Sequence, residues 1–203
     1  MPVGLCRLCK ETRELKKSHF IPAAFYKTAR ASDPGHENPV AVTKNIVMQT
    51  SKQAVAPLLC GQCEDLFNRH GERWTLANAW LADGTFPLRS ALRSRTPSYS
   101  KPGFTIYDTA GLAGVDQAKL VYFGASIFWR AGIKDWYLVE PGSKLELGPY
   151  TEDLRLFLLQ KTEFPADAAL MLSISGEKDA RASSMVIFRT IRTTTRTAGS
   201  TTS

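Results

Sequence analysis

Four cysteines fall in two pairs of the same spacing, Cys6-Arg7-Leu8-Cys9 and Cys60-Gly61-Gln62-Cys63, and they are all the cysteines of the 203-residue chain. Two Cys-x-x-Cys pairs can close a tetrahedral zinc site, and such a site contributes folding free energy directly. Four thiolates leave no open coordination position, so the zinc expected here is structural. Disulfides are the competing use of paired thiols and belong to oxidising compartments. The start, Met1-Pro2-Val3-Gly4-Leu5, lacks the charged and apolar regions of a signal peptide. The longest apolar stretch, residues 120–129, is far short of the roughly 20 residues a membrane span needs. The expected setting is therefore the cytoplasm, away from membranes, with the thiols reduced and holding metal.

The elements that must position these pairs can be read from apolar periodicity and turn formers. Cys6-Arg7-Leu8-Cys9 predicts a tight knuckle. Pro22 suits a first helical turn, and Ala23-Ala24-Phe25-Tyr26-Lys27-Thr28-Ala29-Arg30 predicts a short helix. Residues 32–39 are dense in turn formers and predict a loop with His36 in solvent. Residues 40–42, 46–50 and 54–59 are β-prone, and the last two predict a hairpin about Ser51-Lys52-Gln53. From Glu64 to about Leu81 the period becomes helical, with Phe67, His70, Trp74, Ala77 and Leu81 as one buried stripe. Asp83-Gly84 should end that helix, and residues 96–103 read as a Pro/Ser-rich connector.

Residues 118–133 form the most apolar segment and predict a buried helix, in which Trp129 and Arg130 read as core. A strand is expected over 136–140 and a helix over 151–160 with Thr151 as N-cap. Paired strands are expected at 169–174 and 185–191. The fold class is α+β: a zinc module over residues 1–88, a mixed helix-and-strand accessory domain over 89–192, and a disordered tail over 193–203.

The net charge is +7 and the pI about 9.3, which suits a polyanionic partner, and the charge is unevenly spread. Residues 1–30 carry seven Lys/Arg against two Glu. Residues 84–107 hold Arg89, Arg93, Arg95 and Lys101 and no acid. Basic residues near a metal site point toward nucleic acid, DNA first and RNA as the alternative.

The order Cys-x-x-Cys, then Ser18-His19-Phe20-Ile21-Pro22, then Leu58-Leu59-Cys60-Gly61-Gln62-Cys63 leading into a helix resembles the HNH (ββα-metal, treble-clef) endonucleases. The resemblance covers residues 6–72. Further on, Ser126-Ile127-Phe128-Trp129-Arg130-Ala131 and Leu147-Gly148-Pro149-Tyr150 look like an uncharacterised bacterial HNH-like group. The resemblance implies a zinc-bound treble-clef module and a metal-dependent nuclease hydrolysing DNA phosphodiester bonds. His19 would be the general base, and a separate Mg or Mn ion would be held by Glu64, Asn68 and Glu72. Lys16, Lys17, Arg69 and Arg73 would seat the nucleic-acid backbone, although Arg69 and Arg73 could instead pair with Asp65 or Glu72. The chain departs from the family pattern at Ser18, where an Asp metal ligand is usual, and at Glu64, where a His is usual. The Asn that orients the base has no counterpart just before Leu58; Asn45 is the nearest substitute. The alternative function is a non-catalytic module that keeps the zinc scaffold and binds nucleic acid. A third is an interaction protein that docks or oligomerises through its C-terminal part.

Overall fold

The computed structural model describes residues 1–31, 40–42, 47–49, 52–79, 81, 83–102, 104–136, 144–174 and 185–190. Within these the chain mixes helix and strand, as expected. The expected loop over 32–39, Asn45, residues 137–140 of the expected strand and the tail over 193–203 lie outside them.

A three-stranded antiparallel sheet organises the N-terminal part. β1 (Val3–Leu5) pairs with β2 (Thr12–His19), and β2 pairs on its other edge with β5 (Val55–Cys60). Residues 46–50 and 54–59 were expected to form one hairpin, and they do not. β3 (Val40–Val42) pairs instead with β4 (Val47–Gln49). The physical reason is burial: β4 is exposed at every residue, whereas Ala56, Leu58, Leu59 and Cys60 of β5 all require cover. The β2–β5 register slips between Leu15 and Lys17, where two steps along β2 are matched by three along β5. Beyond the slip Ser18 and its partner Ala56 face inward, while Lys17, Pro57 and Val55 face solvent. Pro22 is followed by α1 (Ala23–Ala31), close to the predicted bounds.

β5 leads without a break into α2 (Gly61–Phe67), a π-helical turn (Asn68–Glu72) and α3 (Arg73–Asn78). The predicted stripe of Phe67, His70, Trp74, Ala77 and Leu81 is corrected here. The buried positions are Cys63, Phe67, Gly71 and Thr75, in steps of four, and Ala77 is exposed. Four-residue steps drift around an α-helix of 3.6 residues per turn, and the wider π turn cancels that drift. His70 is half-buried at the edge of the core, its ring 5.6 Å from that of Tyr122, and it accepts a 2.9 Å hydrogen bond at Nδ1 from the Gln160 amide. The helix also ends early, at Asn78, where Ala79 becomes extended.

In the C-terminal part α4 (Pro87–Arg93) has proline in its first turn. Residues 96–103 are more than a connector: β6 (Tyr99–Lys101) pairs with β7 (Phe104–Ile106). α5 (Gln117–Ile133) is the predicted buried helix, capped by Asp116, whose Oδ1 accepts from the Lys119 N–H at 3.1 Å. α6 (Tyr150–Leu158) has Pro149, not Thr151, at its N-cap, so Thr151 lies inside the first turn. β8 (Ala168–Ser173) and β9 (Met185–Thr190) pair antiparallel, as expected.

One core joins the two halves. Tyr122, Ala125 and Trp129 of α5 pack with Cys6, Leu8, Leu58, Leu59 and Phe67 on one side and with Leu154 and Leu158 of α6 on the other. Phe67 meets Tyr122 and Trp129 edge-on, with ring centroids 6.0 and 6.1 Å away. Each fully buried aromatic ring of this kind is worth about 1.5–3 kcal/mol of transfer free energy. Gly71 permits the closest approach: a Cβ there would lie 2.8 Å from the Phe123 backbone nitrogen. Among the described residues no helix is long and apolar enough to cross a membrane.

Candidate metal centre and adjoining polar cluster

The four cysteine sulfurs lie within 4.8 Å of one another, and Cys9 Sγ stands 4.0 Å from Cys60 Sγ. A tetrahedral zinc with bonds of about 2.3 Å needs sulfurs about 3.8 Å apart, so the group fits a four-thiolate ion with small adjustments. Local backbone explains the convergence. Cys6 accepts from Lys10 N–H and donates to Glu11, both at 2.9 Å, and Lys10 takes a left-handed φ of 64° to close the knuckle. The Arg7 N–H donates to the Leu58 carbonyl at 3.1 Å, which ties the knuckle to β5. Cys60 is the N-cap of α2 and Cys63 sits in its first turn. The Cys60 N–H already points at Cys6 Sγ, 3.3 Å away.

The thiols do not share their protons evenly. The Cys63 hydrogen bond, helped by backbone N–H groups, holds Cys6 well below the usual thiol range against the opposing effect of burial. The same contact with Cys6, with burial, pushes Cys63 up. Burial also pushes Cys9 up. Of the Cys6–Cys63 pair, Cys6 is therefore the more readily ionised, and a bound cation would draw off the remaining protons.

Immediately beyond Cys63 the chain enters a second group of polar side chains. Ser18 is fully buried; its hydroxyl donates to the Glu64 carboxylate and accepts from the Leu59 N–H at 3.1 Å. Arg130, from α5, is 1% exposed and donates to Glu72 Oε1 at 2.6 Å. Its guanidinium also reaches the Phe20 carbonyl at 3.4 Å and lies 4.7 Å from the Phe67 ring centroid. Burial pushes the Glu64 carboxyl up. The Ser18 hydrogen bond and the charges of Arg130 and His19 pull it down, and Glu72 adds to the upward push. His19 is half-buried at the end of β2, opposite Val55.

The residues picked out by sequence thus separate into groups. Cys6, Cys9, Cys60 and Cys63 meet. Ser18, His19, Glu64 and Glu72 are electrostatically coupled in one cluster, but Asn68 is exposed on the π turn. Among the described residues, the cysteines are the one set of three or more His, Cys, Asp or Glu whose ligand atoms converge. Glu64 is engaged by Ser18 and Glu72 by Arg130, each through one carboxylate oxygen. Of the expected backbone contacts, Lys16 pairs with Glu14 at 3.2 Å and Arg69 with Asp65 at 2.8 Å. Lys17 and Arg73 are exposed.

Arg130 is the member that periodicity passed over as core. Its signal was available: a lone guanidinium in an apolar helix requires a buried anion, and Glu72 was an acid on a helix with an apolar side. No family model, curated protein or solved structure matches the chain.

Proposed function

We propose that the chain is an HNH-like, zinc-stabilised module that binds nucleic acid without cutting it. The observation that carries this reading is the closure of the polar cluster. The two helix carboxylates that would hold a catalytic ion in such a nuclease are instead taken by the Ser18 hydroxyl and the Arg130 guanidinium. A knuckle and a helix N-terminus that each supply two cysteines support a treble clef, held by zinc. The antiparallel β2–β5 pair running into α2 supports the ββα arrangement. Zinc here supplies folding free energy and offsets part of the charge of the four thiolates; it takes no part in chemistry. Lys17 and Arg73 are exposed cations near this module and would seat phosphates, which gives affinity and salt dependence without sequence readout.

A second reading is favoured by one specific feature. His19 is half-exposed at the strand end and close enough to influence the Glu64 carboxyl, the placement a general base requires. In that reading His19 takes the proton from an attacking water and the chain is an endonuclease.

Duplex retention on a gel and plasmid nicking in Mg, Mn and Ni separate the two. The binding reading expects retention without nicking, unchanged in His19→Ala and weakened by Lys17→Ala and Arg73→Ala. It also expects each of those two changes to lower the salt slope by about one. Metal-dependent nicking that disappears in His19→Ala would replace it with the endonuclease. Absence of retention at low salt would remove both.

A further inference from the structure

The β6–β7 hairpin carries a surface that neither reading uses. Its register sets Tyr99 opposite Ile106, Ser100 opposite Thr105 and Lys101 opposite Phe104. Directly opposed residues, and residues two apart, share a face of an antiparallel pair. One face therefore holds Tyr99, Lys101, Phe104 and Ile106, and the other Ser100 and Thr105, whose hydroxyls are 3.2 Å apart. The apolar face of a two-stranded sheet ordinarily packs on a core. This one does not: Tyr99, Phe104 and Ile106 are 51%, 46% and 44% exposed.

The two rings form a unit. Their centroids are 5.8 Å apart with planes tilted by 33°, and Lys101 Nζ lies 4.6 Å from the centre of Phe104. At the foot of the hairpin Arg95 donates to the Ala110 carbonyl at 2.9 Å. Residues 84–107 contain Arg89, Arg93, Arg95 and Lys101 and no acid, and with Asp108 at the foot of the hairpin counted the segment still carries a net positive charge, so the aromatic face stands in an anion-attracting segment. That charge bears on the choice of occupant. Protein interface cores are depleted in lysine, whereas single strands are bound by aromatic platforms beside cations.

We infer that this hairpin is a stacking platform for single-stranded nucleic acid, its bases on Tyr99 and Phe104 and its phosphates beside Lys101 and Arg95. The ring spacing fixes the mode. A base inserted between the rings would need about 7 Å, twice the stacking rise of about 3.4 Å, so bases lie on the outer side of the pair, where on Phe104 a base takes the place of the Lys101 ammonium that now lies over the ring. The surface differs in residues and in ligand form from the duplex-seating cations Lys17 and Arg73. DNA and RNA single strands share the recognised chemistry.

The test is fluorescence anisotropy of the zinc-loaded full chain with labelled oligo-dT, oligo-rU and an abasic oligonucleotide of equal length. Oligo-dT and oligo-rU should bind and the abasic strand should bind weakly. Tyr99→Ala and Phe104→Ala should each raise Kd about 5- to 150-fold. Tyr99→Phe should bind as wild type, while Tyr99→Leu, which keeps apolar bulk without a ring, should lose affinity like the alanine variant. These side chains are exposed, so the variants should melt with the wild type, and that is measured alongside. Equal binding of the abasic strand, or ring variants that bind as wild type, would overturn the platform. So would no binding of wild type to either strand, including a case where the hairpin instead captures an apolar protein surface. Duplex retention and its loss in Lys17→Ala and Arg73→Ala are read separately, so failure of one site is distinguishable from failure of the other.

Discussion

Replacing Arg130 with methionine tests the polar cluster most directly. The guanidinium is 1% exposed and its partner Glu72 is 15% exposed, with 2.6 Å between nitrogen and oxygen. Removing one member of so buried a pair leaves the other charged and desolvated, which costs about 3–5 kcal/mol. The change also removes the cation from the face of Phe67, 4.7 Å away, and takes away the guanidinium charge that offsets Glu64 and Glu72. A loss of 3–5 kcal/mol lowers the melting temperature of a chain this size by roughly 6–20 °C. Volume alone would give a smaller effect, because methionine fills most of the space an arginine stem occupies. The assay is urea unfolding at fixed free zinc, run on Arg130→Met, Glu72→Met and the double variant. Taking out both partners removes the stranded charge, so the double should lie well above the sum of the singles, with a coupling of at least about 1 kcal/mol. Arg130→Met within about 1 kcal/mol of wild type, or singles that simply add, would refute the reasoning. The cluster would then be a solvated contact and not a lock between the halves.

Zinc should bind one ion per chain, and in a metal-buffered series stability should rise about 1.4 kcal/mol per tenfold of free zinc above Kd. A melting temperature indifferent to chelation, or a Cys63→Ala variant that binds as wild type, would count against the four-thiolate site. Gly71→Ala should destabilise by about 1–3 kcal/mol, because its Cβ would meet Phe123 backbone atoms at 2.8 and 3.0 Å. That outweighs the helix propensity alanine adds, about 1 kcal/mol, and a stabilised variant would mean α5 sits farther off. Asp116→Ala should cost about 1 kcal/mol through the lost cap of α5. The Asp116 carboxyl is held below its usual range, first by the Lys119 side chain, so its contribution is present above the unfolded value and is lost as pH falls through the folded one. The gap between wild type and variant should therefore close below about pH 4, as read by acid unfolding.

What could be read from sequence was what depends on near neighbours. The Cys-x-x-Cys spacing forces each pair onto one turn, and the apolar run through Leu120 and Trp129 has no stable place but a core. The knuckle, α1, α5 and the β8–β9 pair follow from such local signals. The misses share a cause in tertiary structure. β5 has a closer strand in sequence, yet it pairs with β2, because only that edge covers Leu58 and Leu59. The stripe after Glu64 was read at 3.6 residues per turn, and the π turn at Asn68–Glu72 moved it to Gly71 and Thr75. Asp116 was missed as a cap because the apolar pattern hid the helix start.

Two arginines of the C-terminal part hold the chain of the N-terminal module at two places, the knuckle and the segment after His19. Arg155 of α6 donates to the Leu8 carbonyl at 2.6 Å, inside the knuckle between Cys6 and Cys9. Arg130 of α5 reaches the Phe20 carbonyl, one residue past His19, while it pairs with Glu72. Between these anchors Tyr122 donates to the Leu158 carbonyl at 2.6 Å and Trp129 fills the space above Phe67. A carbonyl held by a guanidinium that is itself fixed by a carboxylate, Glu72 for Arg130 and Glu152 for Arg155, cannot swing without losing a charge-assisted hydrogen bond, so both loops are stiffened from outside their own sequence. The cysteine cluster on one side of the first turn of α2 and the Ser18–Glu64 contact on the other then constrain the same few residues. Displacing α5 would free the segment after His19 and strip cover from Leu59 and Phe67 together, so the polar cluster and the fold stand or fall as one unit.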